Sequence, residues 1–227
     1  MSTVNLAKKT VNLSKKQVVN LSKQSDNGLT RVMIGLGWDE ANKSPISSGG
    51  FFSRLFGGGS SDQRGHSEHD FDLDAWVAPM KCGKNINNED IIYFGRKDWL
   101  HKGMNIIHHC GDNLTGAGDG DDEQIIIDLA NMPSEYDQVL VAVTIYKGNE
   151  RRQTFGDIKN IFVRAVDEKT GFEMCRYSDS NLVEYKDCYT FIVGVLLKEN
   201  NEWQFRAEGY GTRDTAISYA ASKYKRG

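Results

Sequence analysis

The chain has no apolar run that could cross a bilayer. Its longest, Val139 to Tyr146, falls far short of the roughly 20 residues a membrane helix needs. The amino terminus lacks the apolar core of a secretory signal, and the four cysteines (Cys82, Cys110, Cys175, Cys188) form no Cys-x-x-Cys pair. These absences predict a cytoplasmic protein with reduced thiols. There is no Gly-x-x-x-x-Gly-Lys-Ser/Thr loop to hold phosphates, and no Ser-His-Asp or Cys-His arrangement is recognisable from spacing. The formal charge of -3 is too small to argue for a nucleic-acid partner, and none is expected. One further absence matters most: no Lys or Arg lies within either of two acidic runs.

Those runs are Asp70-Phe71-Asp72-Leu73-Asp74, and Gly111-Asp112-Asn113 leading into Gly118-Asp119-Gly120-Asp121-Asp122-Glu123. Carboxylates this close repel one another, so ordering them in a fold calls for a counter-charge. Oxygen-only donors, with glycines at the sharp bends, suit a hard cation, Ca²⁺ above all. If the first run is a strand, Asp70, Asp72 and Asp74 project to one face at ~7 Å spacing, while Phe71, Leu73 and Ala75 turn to the core. In the second run the glycines allow tight turns and offer carbonyls as further ligands. Asp39, after Gly35-Leu36-Gly37-Trp38, is a third contributor. The plain alternative is a solvated acidic loop, which fits the alternation of the first run poorly. An EF-hand starting at Asp70 fails, since Ala75 and Lys81 occupy the positions of its glycine and last glutamate. His108 and His109 are adjacent and would face opposite sides of a strand, so they are poorly placed to share a metal, and His66-Ser-Glu-His69 is no zinc spacing. A metal-dependent hydrolase of phosphate esters, using Mg²⁺ or Mn²⁺ on the same aspartates, is the competing class.

At 227 residues, 39% of them hydrophobic, the chain supports one substantial core or two small ones. Residues 1–27 form a basic segment with a repeat: Thr3-Val-Asn-Leu-Ala-Lys-Lys, Thr10-Val-Asn-Leu-Ser-Lys-Lys, and Val18-Val-Asn-Leu-Ser-Lys-Gln. The repeat reads as a duplicated edge strand, or as a basic arm that adds a strand to a neighbouring subunit or contacts an anionic surface. Residues 42–69 read as a Gly/Ser-rich insertion carrying Phe51, Phe52, Leu55 and Phe56, either a buried plug or a docking motif for a partner groove or membrane surface. Short β-rich runs lie at Arg31 to Trp38, Phe71 to Val77, Asp90 to Phe94, Gln124 to Leu129, Gln138 to Tyr146, Ile161 to Val166, Phe172 to Tyr177, Tyr189 to Leu197 and Trp203 to Ala207. Helix is suggested only near Thr154 to Asn160 and from Thr212 to Tyr224. The pattern predicts an all-β fold, an antiparallel β-sandwich of two packed sheets with one or two short helices. Residues 28–211 form its body and residues 212–227 a basic tail.

Three blocks carry a resemblance: Gly28-Leu-Thr-Arg-Val-Met-Ile-Gly-Leu-Gly-Trp-Asp39, Asp70-Phe-Asp-Leu-Asp-Ala75, and Gly111-Asp-Asn-Leu-Thr-Gly-Ala-Gly-Asp-Gly-Asp-Asp-Glu123. With Phe155 to Gly171, they resemble the signature blocks of the TerD family, from about Val11 to Gly211. The resemblance implies a calcium-binding β-sandwich tied to tellurite resistance and stress tolerance, acting in the cytoplasm without catalysis. Asp39, Asp70, Asp72, Asp74, Asn113, Asp119, Asp121, Asp122 and Glu123 fall in its acidic motifs, and that many acids suits two Ca²⁺ ions. The expected role is a calcium-stabilised interaction module. Its expected partners are other tellurium-resistance proteins or itself, with peripheral membrane contact through the Phe-rich insertion. The repeated amino terminus, the insertion and the basic tail depart from the family pattern.

Overall fold

The computed structural model describes residues 8–26, 28–40, 71–84, 87–112 and 120–224. Among these, twelve strands form two sheets. The seven-stranded sheet has the order β1 (Val11–Leu13), β10 (Glu173–Asp179), β9 (Ile158–Asp167), β3 (Arg31–Glu40), β7 (Glu123–Asp128), β6 (Met104–Asp112), β5 (Asp98–His101). The five-stranded sheet has the order β2 (Val18–Asn20), β12 (Glu202–Thr212), β11 (Thr190–Glu199), β8 (Gln138–Ile145), β4 (Leu73–Met80). Pairing is antiparallel throughout except for β1, which runs parallel to β10. The expected sandwich is therefore present, with one mixed edge.

The side-chain period of two sorts each strand between layers. In β3, Val32, Ile34 and Leu36 enter the core between the sheets, as do Ile125 and Ile127 of β7 and Val163 and Ala165 of β9. β8 is buried at every position. Its Val139, Val141, Val143 and Ile145 face the inner core. Leu140 and Ala142 face outward under α3 (Ile217–Lys223), whose Ala220 and Ala221 join Trp76 and Met80 in a second cluster. A strand covered on both faces reads as a continuous apolar run, which is why it was the longest in the sequence. Two shorter helices, α1 (Leu21–Gln24) and α2 (Gly148–Arg151), complete the set.

Several local expectations are corrected. Thr154 to Asn160 is not a helix: a single 3-10 turn, Phe155–Asp157, leads directly into β9. The carboxyl-terminal helix is shorter than Thr212 to Tyr224, because β12 runs to Thr212 and α3 starts at Ile217. Asp90 to Phe94 supplies only isolated bridges, Val77 with Ile92 and Tyr93 with Arg96. β5 and β6 had no counterpart among the expected strands. The 42–69 insertion lies outside the described residues, so neither the plug nor the docking reading of Phe51, Phe52, Leu55 and Phe56 meets a structure. No helix among the described residues is long and apolar enough to cross a membrane.

Candidate functional site

The acidic second run meets the glycines of β3. Gly35 lies opposite Gln124 on one side and Arg164 on the other. The carboxylate of Asp121 occupies the space above Gly35, where a Cβ would come within 2.3 Å of its atoms. Asp121 is buried, 3% exposed. It accepts two hydrogen bonds from Arg164, from Nε at 2.7 Å and Nη2 at 2.8 Å, and one from Gln124 Nε2 at 2.9 Å. Arg164 also donates to Glu173 at 3.2 Å, and Glu173 accepts from Arg176. Asp121 is thus neutralised by the protein itself on the outer face of the seven-stranded sheet.

Asp122 is held differently. Its N–H donates to the Leu36 carbonyl at 2.8 Å, and its Oδ2 accepts the N–H of Trp38 at 2.7 Å. Desolvation, with the charges of Asp39, Glu123 and Asp121, pushes its carboxyl up to about 6, against the pull of the Trp38 N–H. Asp39, exposed at the end of β3, lies opposite Asn160 and accepts its side-chain amide at 3.0 Å. Neither Asp39 nor Asp122 forms an ion pair with Lys or Arg among the described residues.

Glu123 turns inward. It is 3% exposed, and its Oε2 accepts the N–H of Ala75 at 2.5 Å. Ala75 belongs to β4, the edge of the other sheet, so this carboxylate caps that edge at Ala75, two residues from the Val77–Ile92 bridge. His109 completes the cap. The Gly111 N–H donates to its Nδ1 at 3.0 Å, which leaves Nε2–H directed at the Ala75 carbonyl, 3.2 Å away, with Glu123 Oε2 at 3.7 Å. His109 is therefore structural, and half-buried His108 pairs with Asp98 at 2.7 Å.

The first acidic run is distributed otherwise than the strand pattern implied. Leu73 and Ala75 do enter the core. β4 begins only at Leu73, however, so Asp72 precedes it, exposed and 3.7 Å from Arg151 Nη1. Asp74 shares the outward parity of Trp76 and lines a cavity of about 520 Å³ on the outer face of the five-stranded sheet, with Tyr93, Phe94, Arg96, Tyr146 and Lys147. Asp74 and Asp121 thus sit on the outer faces of different sheets and are not brought together. Asp70, Asn113 and Asp119 lie outside the described residues. Among the described residues no three His, Cys, Asp or Glu side chains form a ready metal cluster. Sequence reasoning missed Arg164, Gln124 and Asn160, whereas His109 takes a structural role in keeping with its poor placement as a metal ligand. The only signal for Arg164 was its place in the Phe155 to Gly171 block.

The model of the TerD domain matches residues 9–224, nearly the whole chain. The chain belongs to the TerD family. It is 39% identical over 215 residues to stress response protein SCP2 of Bacillus subtilis (strain 168), covering 94% of this chain and 98% of that one. It is 36% identical over 208 residues to tellurium resistance protein TerZ of Serratia marcescens, covering 91% and 93%. A crystal structure of a homologue of telluride resistance protein (TerD) from Streptomyces coelicolor A3(2) superposes with a TM-score of 0.56 at 19% identity, covering 86% of this chain and 97% of that one. That likeness extends the family relation to the fold. Tellurium resistance and stress response are thus the setting of the TerD family to which this chain belongs.

Proposed function

We propose that this TerD-family chain is a non-catalytic, calcium-binding interaction module acting in the cytoplasm within a tellurite-resistance and general stress response. The observation that carries the calcium reading is the corner at the ends of β3 and β7. There Asp39 and Asp122 bring carboxylates together without a Lys or Arg partner among the described residues, while the neighbouring Asp121 is tied to Arg164. Such a corner favours a bound hard cation, and oxygen donors favour Ca²⁺. The donors fit in kind. In this reading Asp39 and Asp122 hold the ion, and Asp121 and Glu123 position the strand ends through Arg164 and Ala75. Ca²⁺ takes 6–8 oxygens, so Asp70, Asn113 and Asp119 are assigned to complete the shell. The number of acids leaves room for a second ion. The ion would supply charge neutralisation, and binding only the folded chain would stabilise it.

The module reading is supported by surface chemistry. Phe94 and Tyr146 are 47% and 41% exposed, and both line the same cavity. Aromatic surface of this kind is what protein partners cover. Other tellurium-resistance proteins are the partner class favoured by the family setting.

Calorimetric titration of chelator-treated full-length protein tests the reading. Ca²⁺ is expected to bind in the presence of excess Mg²⁺, and Asp39→Asn or Asp122→Asn is expected to weaken it strongly. Equal binding of Mg²⁺ or Mn²⁺ with only weak Ca²⁺ would reject the calcium module and direct attention to phosphoester hydrolysis.

A further inference from the structure

The cavity on the outer face of the five-stranded sheet has a volume of about 520 Å³, within the roughly 300–1,000 Å³ that takes a small organic ligand. Its floor is the end of the sheet, where Asp74 of β4 lies opposite Thr144 of β8. One wall comes from the stretch between Asn88 and Arg96, a second from Tyr146 to Glu150, and the start of α3 closes a third side. The rings of Phe94 and Tyr146 are the surface read above as facing a protein partner. The interior behind them has a different occupant. We propose that this cavity binds a small organic anion, one carboxylate or phosphate group carried on a flat ring body, with Arg96 as its anchor.

The charges of the lining decide the sign of the ligand. Lys147 has Glu150 within 4.0 Å, and Asp74 is engaged in an interaction of its own. Arg96 differs from both. Its Nη1 donates to the Asn88 carbonyl at 2.9 Å and to the Ile91 carbonyl at 3.4 Å. It pairs with no carboxylate among the described residues, and its Nε and Nη2 donate to none of them. The guanidinium is thus held at one end, while its opposite edge keeps the two-pronged donor geometry that fits a carboxylate or phosphate. A cation fixed in advance also loses little side-chain freedom when the anion arrives.

The rest of the lining selects the body of the ligand. Tyr93, Phe94 and Tyr146 contribute ring surface, and Ile91, Ile145 and Ile217 aliphatic surface. Apolar and aromatic walls with a few placed polar groups suit an organic ligand, and aromatic side chains favour offset or edge-on contact with another ring. The wall that carries Arg96 is rigid. Ile92 exchanges two backbone hydrogen bonds with Val77 of β4, both 2.9 Å, and Tyr93 and Arg96 exchange two more across a tight turn, at 3.1 and 2.9 Å. Phe94 stands on that turn, edge-on to Tyr93 with ring centroids 5.6 Å apart.

The carboxylates of Asp74 and Glu150 oppose a second anionic group, so a ligand with one is favoured. The site is also separate from the acidic corner. Asp39 lies in β3 and Asp122 immediately precedes β7, both strands of the seven-stranded sheet. Binding in the cavity therefore neither requires the calcium reading nor tests it.

Amide chemical shifts of the labelled full-length chain, followed by NMR at fixed calcium, test the proposal. The ring anions are adenosine monophosphate, uridine monophosphate and indole-3-acetate. Adenosine, uridine and indole lack the charge, and inorganic phosphate and acetate lack the ring. At least one ring anion is expected to move the amides of Phe94, Arg96, Lys147 and Ile217 saturably, binding roughly tenfold or more tightly than its counterparts without charge or ring. A nucleotide that does so identifies phosphate as the anionic group, and indole-3-acetate identifies carboxylate. Arg96→Gln should weaken that binding roughly tenfold or more, with a thermal melt to show that it folds. Phe94→Ala, on the exposed turn, should weaken it about threefold. The proposal is overturned if no ring anion gives saturable shifts at these amides at millimolar concentration. Equal binding of the uncharged compounds overturns it too, as does unchanged affinity in a folded Arg96→Gln chain. Should that variant not fold, the comparison of charged with uncharged ligands on the native chain decides.

Discussion

Replacing Gly35 with alanine should break the buried ion pair of Asp121 without touching either charged residue. The new Cβ would stand 2.3 Å from Asp121 Cγ and both its carboxylate oxygens. Carbon and oxygen need well over 3 Å, so the carboxylate has to retreat by roughly 1 Å. Its bonds from Arg164, now 2.7 and 2.8 Å, would then pass the limit of a useful hydrogen bond. Overpacking contributes ~1–3 kcal/mol, and loss of charge-assisted bonds from a buried carboxylate a similar amount. Arg164 keeps Glu173 as a partner, so a total of about 3 kcal/mol is expected rather than the ~3–5 of a fully stranded charge. For a chain of this size that lowers Tm by ~6–12 °C. The decisive comparison is a double-mutant cycle. Asp121→Ala alone should cost ~2 kcal/mol. In that background Gly35→Ala should be nearly neutral, because the colliding group is gone and alanine suits a strand better than glycine. Urea unfolding followed by tryptophan fluorescence, at fixed calcium, measures all four species. A coupling energy of ~2–3 kcal/mol is expected, and a coupling below ~0.5 kcal/mol would refute the packing argument.

The cap on β4 should depend on an acceptor rather than a charge. Glu123→Leu strands the Ala75 N–H and should cost ~1–3 kcal/mol, with faster exchange of that amide, whereas Glu123→Gln keeps the acceptor and should retain its protection. On the outer face of the five-stranded sheet, buried Glu208 gathers Lys16, Arg206 and Tyr224. Glu208→Ala should cost ~3 kcal/mol by leaving Arg206 without its carboxylate, against ~1 kcal/mol for Tyr224→Phe, both read by urea melts. In chelator, Asp122 should give a pH signature. Its folded pKa of about 6 exceeds the ~3.9 of an unfolded aspartate. Its contribution is therefore complete below pH ~4 and lost as the pH rises through 6, worth ~1 kcal/mol after discounting for exposure. The stability difference between the native chain and Asp122→Asn should change over that window, and a constant difference would contradict the assignment.

Most of the sandwich was legible because inward strand residues repeat with period two. Arg31 to Trp38, Gln124 to Leu129 and Gln138 to Tyr146 all emerge as strands near their expected limits. The misses have physical causes. β6 runs through Asn105 and His108-His109-Cys110 and lacks an apolar alternation, since Glu123 and Ala75 rather than apolar neighbours receive His109. Thr154 to Asn160 carries a helix-like start. β9 nevertheless takes over at Ile158, where pairing with β3 and β10 outweighs local propensity. β1 and β2 look alike in sequence, yet they border different sheets because Ser14 to Gln17 turns the chain between them.

The sequence alone determined the family, the two-sheet architecture and the concentration of acidic residues in two runs, because strand period and motif order are local properties. Tertiary structure decided what each acid does. Arg164 neutralises Asp121 across 43 residues, Glu123 caps the edge of the opposite sheet, and Asp74 opens onto a separate cavity. Period two tells which side chains share a face of a strand. It does not tell which sheet that face belongs to, nor which charge lies across from it. Those depend on the register of strands far apart in the chain, and here that register leaves Asp39 and Asp122 without a Lys or Arg partner among the described residues.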